Sequence, residues 1–203
     1  MHLEILVEEP SAEAALSNLL PKILERRASF RIHSFRGKQD LLSRLPDRLR
    51  GYASWMPSDW RIVVLVDRDA EDCKVLKKRL EKISADTGLV TKTRARSRKV
   101  LQVVNRLAVE ELEAWYFGDV EALVSAYPGV SPALGRKTKY RDPDAIAGGT
   151  WEALERVLKR AGYYPGGLSK IEAAKSISMN MIPERNRSHS FQVFCEGIRS
   201  ILS

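Results

Sequence analysis

Five consecutive apolar residues, Ile62-Val63-Val64-Leu65-Val66, constrain the fold of this chain more than any other feature. A strand without polar alternation must be covered on both faces, the situation of parallel sheets held between two layers of helices. A second apolar run, Leu3 to Val7, is short enough for a buried strand. Both runs end in acid: Glu8 closes the first, and Asp67 and Asp69 close the second. Open α/β sheets place their sites beyond the carboxyl ends of strands, so these carboxylates are expected to share one crevice. Carboxylates meeting there repel unless a cation sits among them. Mg²⁺ (or Mn²⁺) suits them, because hard oxygen ligands and substrate phosphates can hold it together.

The rest of the first half alternates strand and helix signals. Pro10 and Ser11 open a helix carrying Leu16, Leu19, Leu20, Ile23 and Leu24. Phe30 to Phe35 reads as a strand, and Leu41, Leu42, Leu45 and Leu49 as a helix in which Pro46 sets a kink or boundary. Tyr52 to Asp59 reads as a connector. After the central strand, Asp72 to Ile83 is helical, Leu89 to Thr93 is a short strand, and Val100 to Val109 is another. Glu110 to Tyr127 reads as a helix that Gly118-Asp119 can interrupt. Repeated β–α units predict an α/β fold with a mostly parallel sheet flanked by helices. The Gly- and Pro-rich segment 128–149 reads as a long functional loop or linker, and three helices follow: Trp151 to Ala161, Lys170 to Met179 and Phe191 to Leu202. The expected organisation is an α/β domain over 1–127 and a loop and helical extension over 128–203 packed on it.

At 203 residues, 44% hydrophobic and 30% charged, the chain suits one well-buried globular domain with an appendage. No apolar run approaches the roughly 18 residues of a membrane span. The first residues lack a basic region followed by an apolar stretch, so a cytoplasmic location is expected. Cys73 and Cys195 form no Cys/His cluster and read as reduced thiols. A net charge of +8 favours polyanionic partners such as nucleic acid. A phosphodiester substrate would need both this basic exterior and an acidic metal site.

In Asp67-Arg68-Asp69, residues two apart on an extended segment point the same way, so both carboxylates can face one ion. The pattern alone is common on surfaces; its place directly after an apolar strand gives it weight. Asp72 suits a helix cap. Glu111 and Glu113 are a second acidic element. On a regular helix they diverge by about 200°, but at a strand-to-helix junction both can face the same way. Acids also gather at helix N-termini without any catalytic role.

With these segments the chain resembles a known family. A strand ending in Val7-Glu8, a helix, and a later strand ending in Asp67-Arg68-Asp69 resembles the TOPRIM domain of topoisomerases, primases and OLD-family nucleases. A closer resemblance covers nearly the whole chain: the DUF4276 family of bacterial proteins, which is TOPRIM-like. It rests on Leu6-Val7-Glu8, Gly37-Lys38-Gln39-Asp40-Leu41, the stretch Val64 to Cys73, Val109-Glu110-Glu111-Leu112-Glu113-Ala114-Trp115-Tyr116, and Ser188-His189-Ser190-Phe191. The resemblance implies Mg²⁺-dependent phosphodiester chemistry, with Glu8, Asp67 and Asp69 as metal ligands. It also implies Glu111 and Glu113 as residues that complete a second ion site, Glu111 placed ahead of Glu113, and Lys170 as a lysine near the scissile phosphate. Glu9 stands where many relatives have Gly, which would alter the turn or add a ligand. Family context further implies a bacterial defence setting with an ATPase partner.

Basic residues supply the candidate nucleic-acid contacts. Arg94, Arg96, Arg98 and Lys99 form one cluster, and Arg136, Lys137 and Lys139 a second, where Tyr140 could stack on a base. Lys38 falls on the same sheet edge as Glu8 and Asp67. Solvated surface is the plain alternative for each. His189 belongs to no Ser/His/Asp ordering and reads as a helix start capped by Ser188 or Ser190. Trp55, Trp60 and Trp115 read as structural. No tyrosine sits in a topoisomerase-like motif, so hydrolysis is favoured over strand passage. A D-x-D after the third strand, continuing Ala70-Glu71, departs from the phosphatase pattern, and the chain is short for a sugar transferase. The expected activity is a metal-dependent nuclease, DNA placed ahead of RNA as substrate, with self-association left open. The alternative is a non-catalytic module binding nucleic acid or a partner.

Overall fold

A computed structural model describes residues 1–97 and 100–202. Four strands, β1 (His2–Val7), β2 (Ser29–Ser34), β3 (Trp60–Asp67) and β4 (Val103–Ala108), form one sheet of order β2-β1-β3-β4. All three pairings are parallel. Parallel neighbours require crossovers, supplied by α1 (Pro10–Leu24), α2 (Lys38–Trp55) and α3 (Cys73–Asp86). This is an α/β fold with helices on both faces, consistent with a Rossmann or TOPRIM-like arrangement.

Alternation along the two central strands explains why both are apolar toward both faces, Glu4 excepted. Leu3, Ile5, Val7, Val63 and Leu65 pack with α1 in the larger core, whereas Leu6, Ile62, Val64 and Val66 pack with α2 and α3 in the smaller one. The chain leaves β1 for β2 on one side, then returns to β3 on the other side of β1. The strand order therefore reverses between β1 and β3, and a ligand crevice opens beyond the carboxyl ends of those two strands.

Beyond the sheet, α4 (Ala114–Gly118) and α5 (Val120–Ala126) are separated at Asp119, where the expected helix interrupts. Asp119 caps α5 by accepting the Ala122 N–H, and its carboxylate also takes Arg185 and the Ile182 N–H. Gly118 is required there: a Cβ would stand 2.0 Å from the Asn186 side-chain oxygen. The segment 128–149 is a series of short 3-10 turns whose Val130, Leu134, Tyr140 and Ile146 are buried in the larger core. The last helices, α6 (Thr150–Arg160), α7 (Lys170–Asn180) and α8 (His189–Leu202), also join that core; α7 packs along α1 and α8 against β4.

Three local expectations change. Pro46 makes no boundary: α2 runs through it, and burial of Leu41, Leu42, Leu45, Leu49 and Tyr52 on one face offsets the missing backbone donor. The helix accordingly takes in Tyr52 to Trp55 from the expected connector. Leu89 to Thr93 is no strand; only Thr91 bridges Val103, and a turn closes at once as the Arg94 and Ala95 N–H groups bond the Thr91 carbonyl. Of the tryptophans, Trp115 is fully buried, whereas Trp55 is 57% exposed. Cys73 and Cys195 are both free, and burial pushes the Cys195 thiol up to about 12. No helix among the described residues is long and apolar enough to cross a membrane.

Candidate functional site

Glu8 follows the last residue of β1, and its buried carboxylate accepts the Asp67 backbone N–H at 2.7 Å. One side chain thereby ties the ends of the two central strands at the point where the strand order reverses. Asp67 ends β3 and keeps partial exposure as a residue. Its carboxyl is nonetheless pushed well above the usual range, by burial first and then by Glu8, Glu113, Asp69 and Glu9. Glu8 is raised to about 7, again by burial first, with Asp69 and Glu9 adding to it while the Asp67 N–H and Lys38 oppose it. These carboxylates disfavour one another's charge, the situation expected of a cluster short of cations.

Asp69 does not continue the extended path. The strand stops at Asp67, and Asp69 takes a left-handed conformation, φ 51°, with its carboxylate exposed. The two acids of the D-x-D pair are thus not aligned along one extended strand: Asp67 ends β3, its backbone N–H on Glu8, whereas Asp69 leaves the strand path and pairs with Lys38 at 3.1 Å. Lys38, at the start of α2, also bonds the Arg68 carbonyl at 3.1 Å and Glu71 at 2.7 Å. Burial works against its charge, but Glu71 and Asp69 raise its pKa overall. A cavity of about 580 Å³ opens beside this clamp between α2 and α3, lined by Asp69, Lys38, Glu71 and Arg79 among others. Glu71 and Arg79 went unsingled in the sequence, although Glu71 lies inside the Val64 to Cys73 motif.

Glu111 and Glu113 diverge, as a turn of helical pitch demands. The Ala114, Trp115 and Tyr116 N–H groups bond the carbonyls of Glu111, Leu112 and Glu113. Glu111 points to α6, accepting the Thr150 hydroxyl at 2.8 Å and the Trp151 N–H at 3.0 Å. Glu113 turns toward the acidic cluster and is buried; burial raises it to about 7, opposed by Lys170. Lys170, the first residue of α7, lies 4.0 Å from Glu113 and 3.8 Å from Glu9, with the Trp151 ring 5.3 Å from its ammonium. Burial disfavours its charge, but Glu113, Glu9, Glu111 and Asp67 together raise its pKa. Glu9 caps α1 with φ −145°, an extended conformation open to any residue, so the position imposes no need for Gly. Its effect is electrostatic: it adds negative charge at Glu8, Asp67 and Glu113.

The family model described as "Domain of unknown function (DUF4276)" matches residues 7–199. The chain belongs to this family. No curated protein and no solved structure matches it. The DUF4276 match spans every residue of the cluster, from Glu8 to Lys170.

The donor chemistry of this DUF4276 cluster fits a hard divalent cation. Oxygen ligands predominate, and Glu8 and Asp67 have neither lysine within ion-pair distance. Among the described residues, no three Asp, Glu, His or Cys side chains converge closely enough to hold an ion as they stand. Lys38 and Lys170 instead neutralise the two flanks.

Most of the basic candidates lie elsewhere. Arg94 and Arg96 sit in the turn after Thr91, whose bridge to Val103 places it at the amino end of β4, opposite the acidic end of the sheet. Arg98 and Lys99 lie outside the described residues. Arg136, Lys137 and Lys139 occupy the 3-10 turns of the 128–149 segment, and the Lys139 ammonium stands 4.6 Å from the Tyr140 ring. Tyr140 itself cannot stack on a base: it is 2% exposed and already stacked on Phe117, ring centroids 5.2 Å apart. The Ser188-His189-Ser190-Phe191 motif starts α8: Ser188 accepts the Phe191 N–H, and Asp144 takes both serine hydroxyls.

Proposed function

We propose that this DUF4276 protein is a Mg²⁺- or Mn²⁺-dependent phosphodiester hydrolase acting on nucleic acid, with a TOPRIM-like centre. The reading rests on one observation: at the reversal point of the sheet Asp67 feels the charge of both Glu8 and Glu113, and all three carboxyls are shifted upward, chiefly by burial. Glu8, Asp67 and Asp69 would hold the ion, with Glu113 beside them. Such an ion supplies Lewis-acid chemistry, activating water and offsetting charge on phosphate oxygens.

The chain's own residues do the rest. The Asp67 N–H fixes the Glu8 carboxylate, so that ligand is oriented before anything binds. Glu113, held near neutrality, is suited to take and return a proton at the reacting water. Lys170 stands where it can offset charge developing on a phosphoryl group, and Lys38 with Arg79 lines the adjoining cavity where a flanking phosphate can sit. Net charge of +8 draws a polyanion toward an acidic centre that would otherwise repel it. The family resemblance extends the proposal to a cytoplasmic defence effector working beside an ATPase partner.

The test is titration of Mg²⁺ and Mn²⁺ with plasmid DNA, single-stranded DNA and RNA, comparing wild type with Asp67→Ala. Cleavage that depends on metal and disappears in the variant supports the proposal. The second reading, a non-catalytic TOPRIM-like module for nucleic acid or a partner, draws on the lysine clamps and the spread of the carboxylates. It replaces the first if wild type neither cleaves nor binds metal by calorimetry.

A further inference from the structure

A second site lies at the other end of the sheet. Glu4 is an acid in the middle of an apolar strand, 5% exposed, and it faces α2 rather than α1. Three donors satisfy it: the Tyr52 hydroxyl, His33 Nε2 and His2 Nε2. Arg48 meets His33 Nδ1 at 2.9 Å, and because a guanidinium only donates, that nitrogen is the acceptor and Nε2 carries the proton offered to Glu4. This network forms the floor of a cavity of about 340 Å³ walled by Arg31, Arg48, Trp55 and Trp60.

Three features of the cavity point to a ligand. Trp55 is 57% exposed, its ring held edge-on to Trp60 at 5.5 Å, an arrangement that keeps a large aromatic surface in water. Gly51 lies one helical turn before Trp55 in α2, where a glycine costs about 1 kcal/mol. A Cβ there would meet nothing within 4 Å, so no packing constraint requires Gly; its missing side chain keeps the cavity open. The charges facing the cavity are unevenly spent. Glu4 has its three donors and Asp47 is paired with Arg50, whereas among the described residues the Arg31 side chain makes no ion pair or hydrogen bond and Arg48 has no carboxylate partner. The cavity therefore offers two guanidinium groups to an anion, next to an open indole. The same charges argue against a cationic ligand, and the Tyr52 ring already has Arg48 over it, 5.6 Å from its centroid.

We propose that this cavity binds a nucleoside phosphate, the base against Trp55 and the phosphate on Arg31 and Arg48. Guanidinium forks match phosphate oxygens in pairs, and a base stacked on an aromatic side chain contributes about 1–3 kcal/mol. The volume is at the lower end of the range of about 300–1,000 Å³ for small-ligand pockets, the size of one nucleotide rather than a strand segment. The ligand is a free nucleotide or the phosphorylated end of a strand. The proposal stands independently of the hydrolase reading: Glu4 lies within β1 and Glu8 just past its end, four residues on and roughly 13 Å along the strand direction.

The test is titration of the full chain in EDTA with AMP, GMP, CMP and UMP, followed by tryptophan fluorescence and calorimetry. Adenosine, inorganic phosphate and a 5′-phosphorylated oligonucleotide serve as comparison ligands. Saturable quenching by a nucleotide is expected, with adenosine and phosphate alone about tenfold weaker or more. Binding should fall by at least about tenfold in Arg48→Ala and in Gly51→Leu, and stay unchanged in Asp67→Ala. Gly51→Leu fills the cavity from an exposed helix position, so it keeps the fold and separates occlusion from unfolding. Oligonucleotide binding equal to that of the nucleotide assigns a strand end; binding of the nucleotide alone assigns the free form. No binding at millimolar nucleotide, or binding unchanged in both Arg48→Ala and Gly51→Leu, overturns the proposal.

Discussion

The Glu8 carboxylate accepts the Asp67 backbone N–H, so the residue that most repels the Asp67 carboxylate is also the one that fastens its strand end. Stability and charge at this point are in conflict. Replacing Asp67 by Asn keeps the backbone donor and removes one negative charge. In EDTA, Asp67→Asn is expected to be more stable than wild type by about 1–2 kcal/mol, raising Tm by several degrees for a chain of this size. Divalent-ion binding and any cleavage should be lost with it. Thermal melts with and without Mg²⁺ decide the matter: a Tm equal to or below wild type in EDTA would show that the buried Asp67 carboxyl, among its acidic neighbours, costs the fold nothing.

Glu111 and Glu113 separate into two roles. Glu111 holds the first turn of α6 through Thr150 and Trp151. Glu111→Ala should cost about 1 kcal/mol, as loss of a helix cap does, and leave metal affinity largely intact. Glu113 faces Lys170 and Asp67 instead, so Glu113→Gln should weaken metal binding and cleavage. Urea denaturation and calorimetry on both variants check the division. The reverse pattern would return Glu111 to the site.

The α/β sheet was legible because β3 carries an unbroken apolar run and β1 one broken only at Glu4, and the acidic end of the sheet because Glu8 and Asp67 stop those runs with charge. Asp72 was legible as a cap for the same local reason, and it accepts the Lys74 and Val75 N–H groups. What periodicity could not give was the path after a strand ends. Asp69 turns left-handed, and Glu113 reaches the cluster through the turn that sends Glu111 to α6. The burial of Tyr140 was hidden because segment 128–149 has the composition of a loop while its few apolar residues seal the core. One signal was present and unused. An acid at position 4 inside Leu3 to Val7 cannot be buried without donors, so Glu4 announces partners such as His33 and Tyr52.

Asp119 is the strongest structural commitment outside the sheet. Its side chain is fully buried, with Arg185 at 2.8 and 3.0 Å and the Ile182 N–H at 2.9 Å. Arg185 keeps Glu121 and the Asn180 carbonyl, but the Ile182 and Ala122 N–H groups lose their acceptor, so Asp119→Ala should cost about 1–3 kcal/mol. Because Asp119 joins α5 to the segment after α7, the variant should also loosen α7 and with it the placement of Lys170. Hydrogen exchange along α7 reads this directly; protection unchanged from wild type would confine Asp119 to a local cap.

Glu4 gives the pH dependence with the clearest sign. Burial favours its neutral form, but hydrogen bonds from Tyr52, His33 and His2 win, and its pKa falls below the ordinary 4.5. In the window between the folded and unfolded pKa values the unfolded chain binds more protons, so stability rises with pH there. The contribution is complete above about pH 4.5 and disappears as pH falls through the folded value. Glu4→Gln cannot carry the charge that these donors stabilise. It should be less stable than wild type at pH 7, and the gap should close on acidification toward pH 3. Urea titrations of both proteins across that range isolate the effect, since every other carboxyl is common to the two. A gap that stays constant to pH 3 would mean that the donors hold Glu4 by shape alone and not by charge.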